Sequence, residues 1–291
     1  MERKEFIKSI ALLSIAAPTM SINELSNISK SFDNTPSMPV LFVGHGSPMN
    51  AIEDNEYVKG WRRMGESIPK PNAVLCISAH WETKGTLVTA MEKPQTIHDF
   101  GGFPQALFNV EYPAPGSPAI AEETKKAVRS VNVEADQKWG LDHGCWSVLK
   151  HLYPKADVPV LQLSLDYSKA AQYHFDLGKE LSALRKKGVL IVGSGNIVHN
   201  LRIIDWRSPD SGYDWADIAN TKIKKLALEG DFKSLINYKR LGKEMDLSVP
   251  SPEHYLPLLY ILALKQEKEK ISIFNDKTMM GSLAMTSFKI Q

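Results

Sequence analysis

Eight histidines punctuate the 291-residue chain, and the positions of five of them suggest chemistry. His45 stands between two glycines in LFVGHGSPMN, His80 closes CISAHWE, His199 follows an apolar run in GSGNIVHN, and His254 lies in PSPEHYLP. His143, in GLDHGCW, is the fifth. Imidazole titrates near neutrality, carries protons, and ligates zinc, iron, copper and nickel. Two or three histidines with a carboxylate and open positions form the donor set of non-haem Fe(II) oxygen chemistry. Each residue also has an ordinary alternative: His80 bonded to Glu82, His199 capping its strand with Asn196, His254 exposed at a helix start. HExxH and CxxC are both absent, so the common short-range zinc signatures do not apply. His151 and His174 fall in helix-like segments and are expected to be structural, whereas His98, in the glycine-rich TIHDFGGFP, is a candidate substrate contact.

Residues so far apart in sequence need a fold that gathers them. The runs 39–44, 73–79, 86–90, 158–165, 189–195, 271–275 and 283–288 are short, rich in Val, Ile and Leu, and bounded by Gly, Pro or Asn, which predicts strands. Between them, 55–66, 118–130, 144–152, 169–186, 215–229 and 253–265 carry helical spacing. Strands interleaved with helices imply an α/β domain with a largely parallel sheet covered on both faces, and 73–79 with 86–90 suggests a local hairpin that would make the sheet mixed. In such sheets ligands collect outside the carboxyl ends of the strands, where His45, His80 and His199 fall.

Composition narrows the partners. The 35 basic and 33 acidic residues contain no long single-sign block, which argues against a nucleic-acid surface or a polybasic membrane anchor. Two cysteines, Cys76 and Cys145, are too few for a disulfide framework and read as small buried hydrophobes. The start, MERKEFIKSIALLSIAAPTMS, has a basic end, a short apolar run and small residues, the make-up of an export leader too short to span a bilayer. RKEFIK is similar to a twin-arginine leader with one arginine replaced by lysine, which predicts a periplasmic protein if the leader functions and a cytoplasmic one otherwise. A polar linker follows, so residues 1–37 are read as leader and linker and 38–291 as one folded domain.

Taken in order, GHGSPMNAIEDNEY, ISAHWE, TIHDFGGFP, YPAPGSP, GLDHGCWSVL, VPVLQLSLD, GSGNIVHN and PSPEHYLPL resemble the DOPA-dioxygenase branch of the class III extradiol ring-cleaving dioxygenases, from about Met38 onward. The resemblance implies a single three-layer αβα domain that opens a catechol ring with dioxygen at one divalent metal ion. Fe(II) is the metal that oxygen chemistry calls for, with Zn(II) as an alternative occupant. By the same resemblance His45 and His80 are metal ligands and His254 or its neighbour Glu253 is the third. His199 is a further ligand or an acid/base group, and His143 is the catalytic histidine beside the metal. Trp81, Tyr255 and the DFGGFP loop are expected to wall the substrate ring. A monomer or small homo-oligomer without stable membrane association is expected. Two other classes fit the same residues: a zinc-dependent hydrolase that activates water, and a non-catalytic metal-binding protein of the same fold.

Overall fold

Val, Ile and Leu fill the central strands because both faces of the sheet are covered by helices. In the computed structural model, which describes residues 36–291, the strands β1 (Val40–Gly44), β5 (Val160–Asp166) and β6 (Val189–Gly195) are buried throughout, and β2 (Ala73–Thr83) is buried over its first half. They join β3 (Thr86–Thr89), β4 (Val133–Asp136), β7 (Ile271–Phe274) and β10 (Ser287–Ile290) in an eight-stranded sheet of order β4-β3-β5-β2-β6-β1-β10-β7. The neighbours β4/β3, β5/β2, β2/β6 and β6/β1 run parallel, while β3/β5, β1/β10 and β10/β7 run antiparallel. The sheet is therefore mixed, as expected, although the expected hairpin is absent. β5 lies between β2 and β3, and its pairing with β2 shifts register between Ile77 and Glu82.

The helices follow the βα pattern. α1 (Glu56–Ser67), α2 (Gln105–Phe108), α3 (Pro118–Ala127) and α4 (His143–Leu152) occupy the first half. The second half holds α5 (Ala171–Glu180), α6 (Ser182–Arg185), α7 (Asp214–Glu229), α8 (Phe232–Ile236), α9 (Lys243–Ser248) and α10 (Leu256–Ala263). A small β8 (Thr278–Met279) and β9 (Leu283–Ala284) pair lies beside β10 in the chain. α4 is the helix that matters most for the site. Asp142 caps its first turn, accepting from the Cys145 amide at 3.0 Å, and so fixes where His143 begins. None of the helices among the described residues is long and apolar enough to cross a membrane. Residues 1–35 of the leader and linker lie outside the described residues.

Candidate active site

The glycines around His45 answer to a close neighbour. Gly46 adopts φ +61°, and a Cβ there would stand 2.5 Å from the Met285 sulfur, so the turn after β1 admits no side chain. The Gly44 amide donates to Ser287 Oγ at 3.0 Å, which ties the end of β1, next to His45, to β10. A second close approach occurs at Gly144, where a Cβ would meet Ser78 Oγ at 2.5 Å and His80 Cδ2 at 2.8 Å. That bare helix start lets α4 bring His143 against His80, with ring centroids 3.9 Å apart.

The five histidines expected to meet do meet. His45, His80, His143, His199 and His254 line one cavity of about 380 Å³, at the carboxyl ends of β1, β2 and β6 and the start of α4 and α10. His45 is 1% exposed and His254 6%, so the ordinary reading of His254 as an exposed helix start does not hold. Burial holds both imidazoles well below the usual histidine range, pushes His80 down to about 3, and pushes His199 down to about 4. At neutral pH these four rings are neutral.

Hydrogen bonds select the tautomers of His45 and His254. Ser194 Oγ donates to the Gly144 carbonyl, so it accepts from His45 Nδ1 at 3.0 Å and leaves His45 Nε2 with its lone pair. His254 Nδ1 lies 3.2 Å from a Glu253 carboxylate oxygen that can only accept, and its Nε2 is buried without a hydrogen-bond partner. His80 turns Nδ1 towards Asp99 at 3.6 Å and Nε2 towards His45 Nε2 at 3.1 Å. Ligand nitrogens of His45, His80 and His254 all lie within 4.8 Å of one another. Lone pairs facing each other across such distances repel unless a proton or a metal cation lies between them, and nitrogens bind such metal ions at about 2.0–2.1 Å. The donor set therefore fits one divalent ion. In each case the second ring nitrogen faces an oxygen, the usual support of a metal-binding histidine.

His143 differs from these. Its Nδ1 lies 3.0 Å from Asp99 Oδ2, and its backbone amide donates to Asp99 Oδ1 at 2.8 Å. Burial would raise the Asp99 carboxyl, but the bonds from His143 outweigh it and hold the carboxyl below its ordinary range. The result is a carboxylate that grips both the ring and the backbone of one histidine. His199 stacks on His254, centroids 3.5 Å apart and planes 8° from parallel.

Comparison with known proteins sets this geometry in a family. The sequence pattern of the family described as the catalytic LigB subunit of aromatic ring-opening dioxygenase matches residues 38–279. The chain belongs to this family. As a member of it, the protein is an enzyme, an extradiol aromatic ring-opening dioxygenase whose reactants are an aromatic compound and dioxygen. The 4,5-DOPA dioxygenase extradiol of Escherichia coli K12 is 50% identical over 87% of this chain and 94% of its own length. The protein of the same description from Beta vulgaris is 34% identical over 86% and 95%. Among solved structures, an uncharacterized Escherichia coli K12 protein superposes with a TM-score of 0.77 at 45% identity, covering 87% of this chain and all of that one.

Within this dioxygenase, three expected substrate contacts sit elsewhere. Trp81 is 3% exposed and stacks on Trp139, centroids 5.7 Å apart, away from the cavity lining. Successive strand residues face opposite sides, so the side of β2 that shows His80 to the cavity turns Trp81 away. Tyr255, next to His254, is fully buried with its hydroxyl donating to the Leu235 carbonyl at 3.0 Å. His98 stands behind the wall, its Nε2 3.0 Å from the Val110 carbonyl and its ring beside Phe100. From the DFGGFP loop, Asp99, Phe100 and Phe103 do line the cavity. The sequence reading missed Asp99 as a functional residue, although a carboxylate beside a glycine-rich loop was its visible signal. His151 and His174 are structural as expected, bonded to the Asn50 carbonyl at 2.8 Å and the Tyr260 hydroxyl at 3.1 Å.

Proposed function

We propose that the enzyme opens the ring of a catechol at one divalent metal ion held by His45, His80 and His254. The observation that carries this reading is the set of three neutral imidazoles whose lone pairs converge at the floor of a small apolar-walled cavity, with His143 beside them. A redox-active ion such as Fe(II), when bound, supplies electron transfer between ring and dioxygen, for which Zn(II) has no accessible second oxidation state. The protein's own part is placement and proton traffic. Asp99 fixes His143 with the proton on Nδ1, so that Nε2 is free to take the proton of a catechol hydroxyl and to return it when the ring opens. Phe100 and Phe103 exclude water from one side of the ring.

Glu253 serves this reading as the carboxylate that orients His254, and not as the third ligand, because it approaches the opposite ring nitrogen. The stacking of His199 on His254 supports a place beside the ion; a fourth-ligand role would require the ring to leave the stack. Anaerobic reconstitution with Fe(II), followed by oxygen uptake on a panel of catechols including DOPA, tests the proposal. Uptake with ring-opened product is expected, and His80→Ala should lose most of its metal by elemental analysis. His199→Ala should keep it. Turnover of an ester or amide by the zinc form, with no oxygen uptake by the iron form, would instead support a hydrolase.

A further inference from the structure

We infer that the cleft between α1 and α4 is a binding site for hydrogen phosphate, an oxyanion that keeps a hydroxyl at neutral pH. The cleft shares no lining residue with the histidine cavity, and its role does not depend on the catechol reading.

The cleft encloses about 340 Å³ and is lined by Arg62, Glu66, Lys150, His151, Leu152 and Pro154. Arg62 and Glu66 stand one turn apart on α1, and Lys150 and His151 belong to the last turn of α4. His151 is 6% exposed, so its ring belongs to the packed interior and still reaches the cleft. Its Nε2 lies 2.8 Å from the Asn50 carbonyl, which can only accept, and this fixes a proton on Nε2. Burial holds the ring below the usual histidine range; the Asn50 bond opposes this, while the charges of Lys150 and Arg62 act with burial. At neutral pH the ring is neutral. Nδ1 therefore presents a lone pair, and it has no hydrogen-bond partner among the described residues.

The rest of the cleft offers donors. Arg62 gives Nη1 to Asp54 at 2.6 Å and leaves its other guanidinium nitrogens unpaired among the described residues. Lys150 gives one N–H to the Ala51 carbonyl at 3.1 Å and keeps the others. Two cations and one lone pair call for a ligand that accepts at some of its oxygens and donates from another. Hydrogen phosphate does both. Sulfate, fully deprotonated at neutral pH, can only accept, and one of its oxygens would face the Nδ1 lone pair. Glu66, the exposed carboxylate of the lining, opposes an anion but is outnumbered by the two cations. A metal ion at Nδ1 would face those same cations with Glu66 as the one carboxylate of the lining, which favours the anion. A bond accepted at Nδ1 polarises the ring and strengthens Nε2 as a donor, so an occupied cleft holds the Asn50 carbonyl more firmly. Asn50 Nδ2 in turn donates to the His45 carbonyl at 2.9 Å.

Titration calorimetry of the full chain, at neutral pH and constant ionic strength in a buffer free of oxyanions, compares sodium phosphate with sodium sulfate. Phosphate is expected to bind saturably and about tenfold or more tighter than sulfate. The His151 Nδ1 signal in nitrogen NMR should move with phosphate. Lys150→Met and Arg62→Gln, at partly exposed positions, should each weaken phosphate by about fivefold or more. His80→Ala, which disrupts the proposed metal site, should bind phosphate as the unaltered chain does. Absence of saturable binding, sulfate binding as tight as phosphate, or a His151 Nδ1 signal unmoved by phosphate would each overturn the inference. Binding that survives Lys150→Met but disappears in His80→Ala would place the anion on the metal ion and overturn it as well.

Discussion

Asp99 concentrates the logic of the site in one side chain. Both carboxylate oxygens are committed to His143, one to the ring and one to the backbone, and its side chain is only 18% exposed. An asparagine of the same shape can present an oxygen to one of these donors but must turn its amide towards the other. Asp99→Asn is therefore expected to keep the metal and the fold while disturbing the His143 tautomer, with turnover falling by about 10–100-fold. His143→Gln should also retain metal and still bind catechol, seen as a ligand-to-metal absorption band, with turnover down by about 10²–10⁴-fold. Loss of metal in His143→Gln would remove that residue from its proton-carrying role. The five clustered histidines were legible because each lies near the carboxyl end of a strand or near the start of a helix, positions that the fold gathers at one end of the sheet. Asp99 was not, because the carboxylate acts through a backbone contact to a residue 44 positions away. Trp81 and Tyr255 were misread for the opposite reason: adjacency in sequence to His80 and His254 does not give adjacency in space.

At the scale of elements, legibility followed burial. β1, β2, β5 and β6 stand out as apolar runs because helices cover both faces. β4 reads VEAD, an edge strand in which only Val133 is buried, and it left no comparable signal. The short α2, α8 and α9 carry four to six residues each, too few for a helical period to show. The false hairpin had a local cue, the Lys84–Gly85 turn, which β5 overrides by inserting between β2 and β3. One contact that no local pattern announces joins distant elements. Arg185, at the end of α6 and fully buried, donates to the carbonyls of Met38 and Leu264 and pairs with Glu269. Burial raises the Glu269 carboxyl, but Arg185 more than compensates and holds it below its usual range. Glu269→Gln leaves a buried guanidinium without its counter-charge, and urea denaturation should show a loss of about 1–3 kcal/mol near neutral pH. Because the folded carboxyl is the stronger acid, its contribution is complete above the unfolded pKa and disappears as pH falls through the folded one. Wild-type and variant stabilities should therefore converge in acid. A gap that is constant with pH would mean that the pair is not ionic.

For the whole molecule, the boundary near Met38 is the first quantity to test. Met38 is buried and its amide donates to the Arg185 carbonyl at 3.1 Å, so ordered packing already includes that residue. A chain starting at Ser37 is expected to keep the thermal midpoint and the oxygen uptake of the full chain. A drop of several degrees would show that the preceding residues pack on the domain, and would also weaken the export reading. Amino-terminal sequencing of the mature protein after cell fractionation checks that reading directly. The tie between Gly44 and Ser287 has a further meaning in time. The two residues are 243 positions apart, and synthesis at about 5–20 residues per second separates their appearance by on the order of tens of seconds. Throughout that interval β1 lacks its β10 neighbour, and until α10 is made His45 lacks the company of His254. The nascent chain thus carries histidines without a complete site, and metal capture becomes a late event, coupled to the closing of the sheet and not to the emergence of the first ligand.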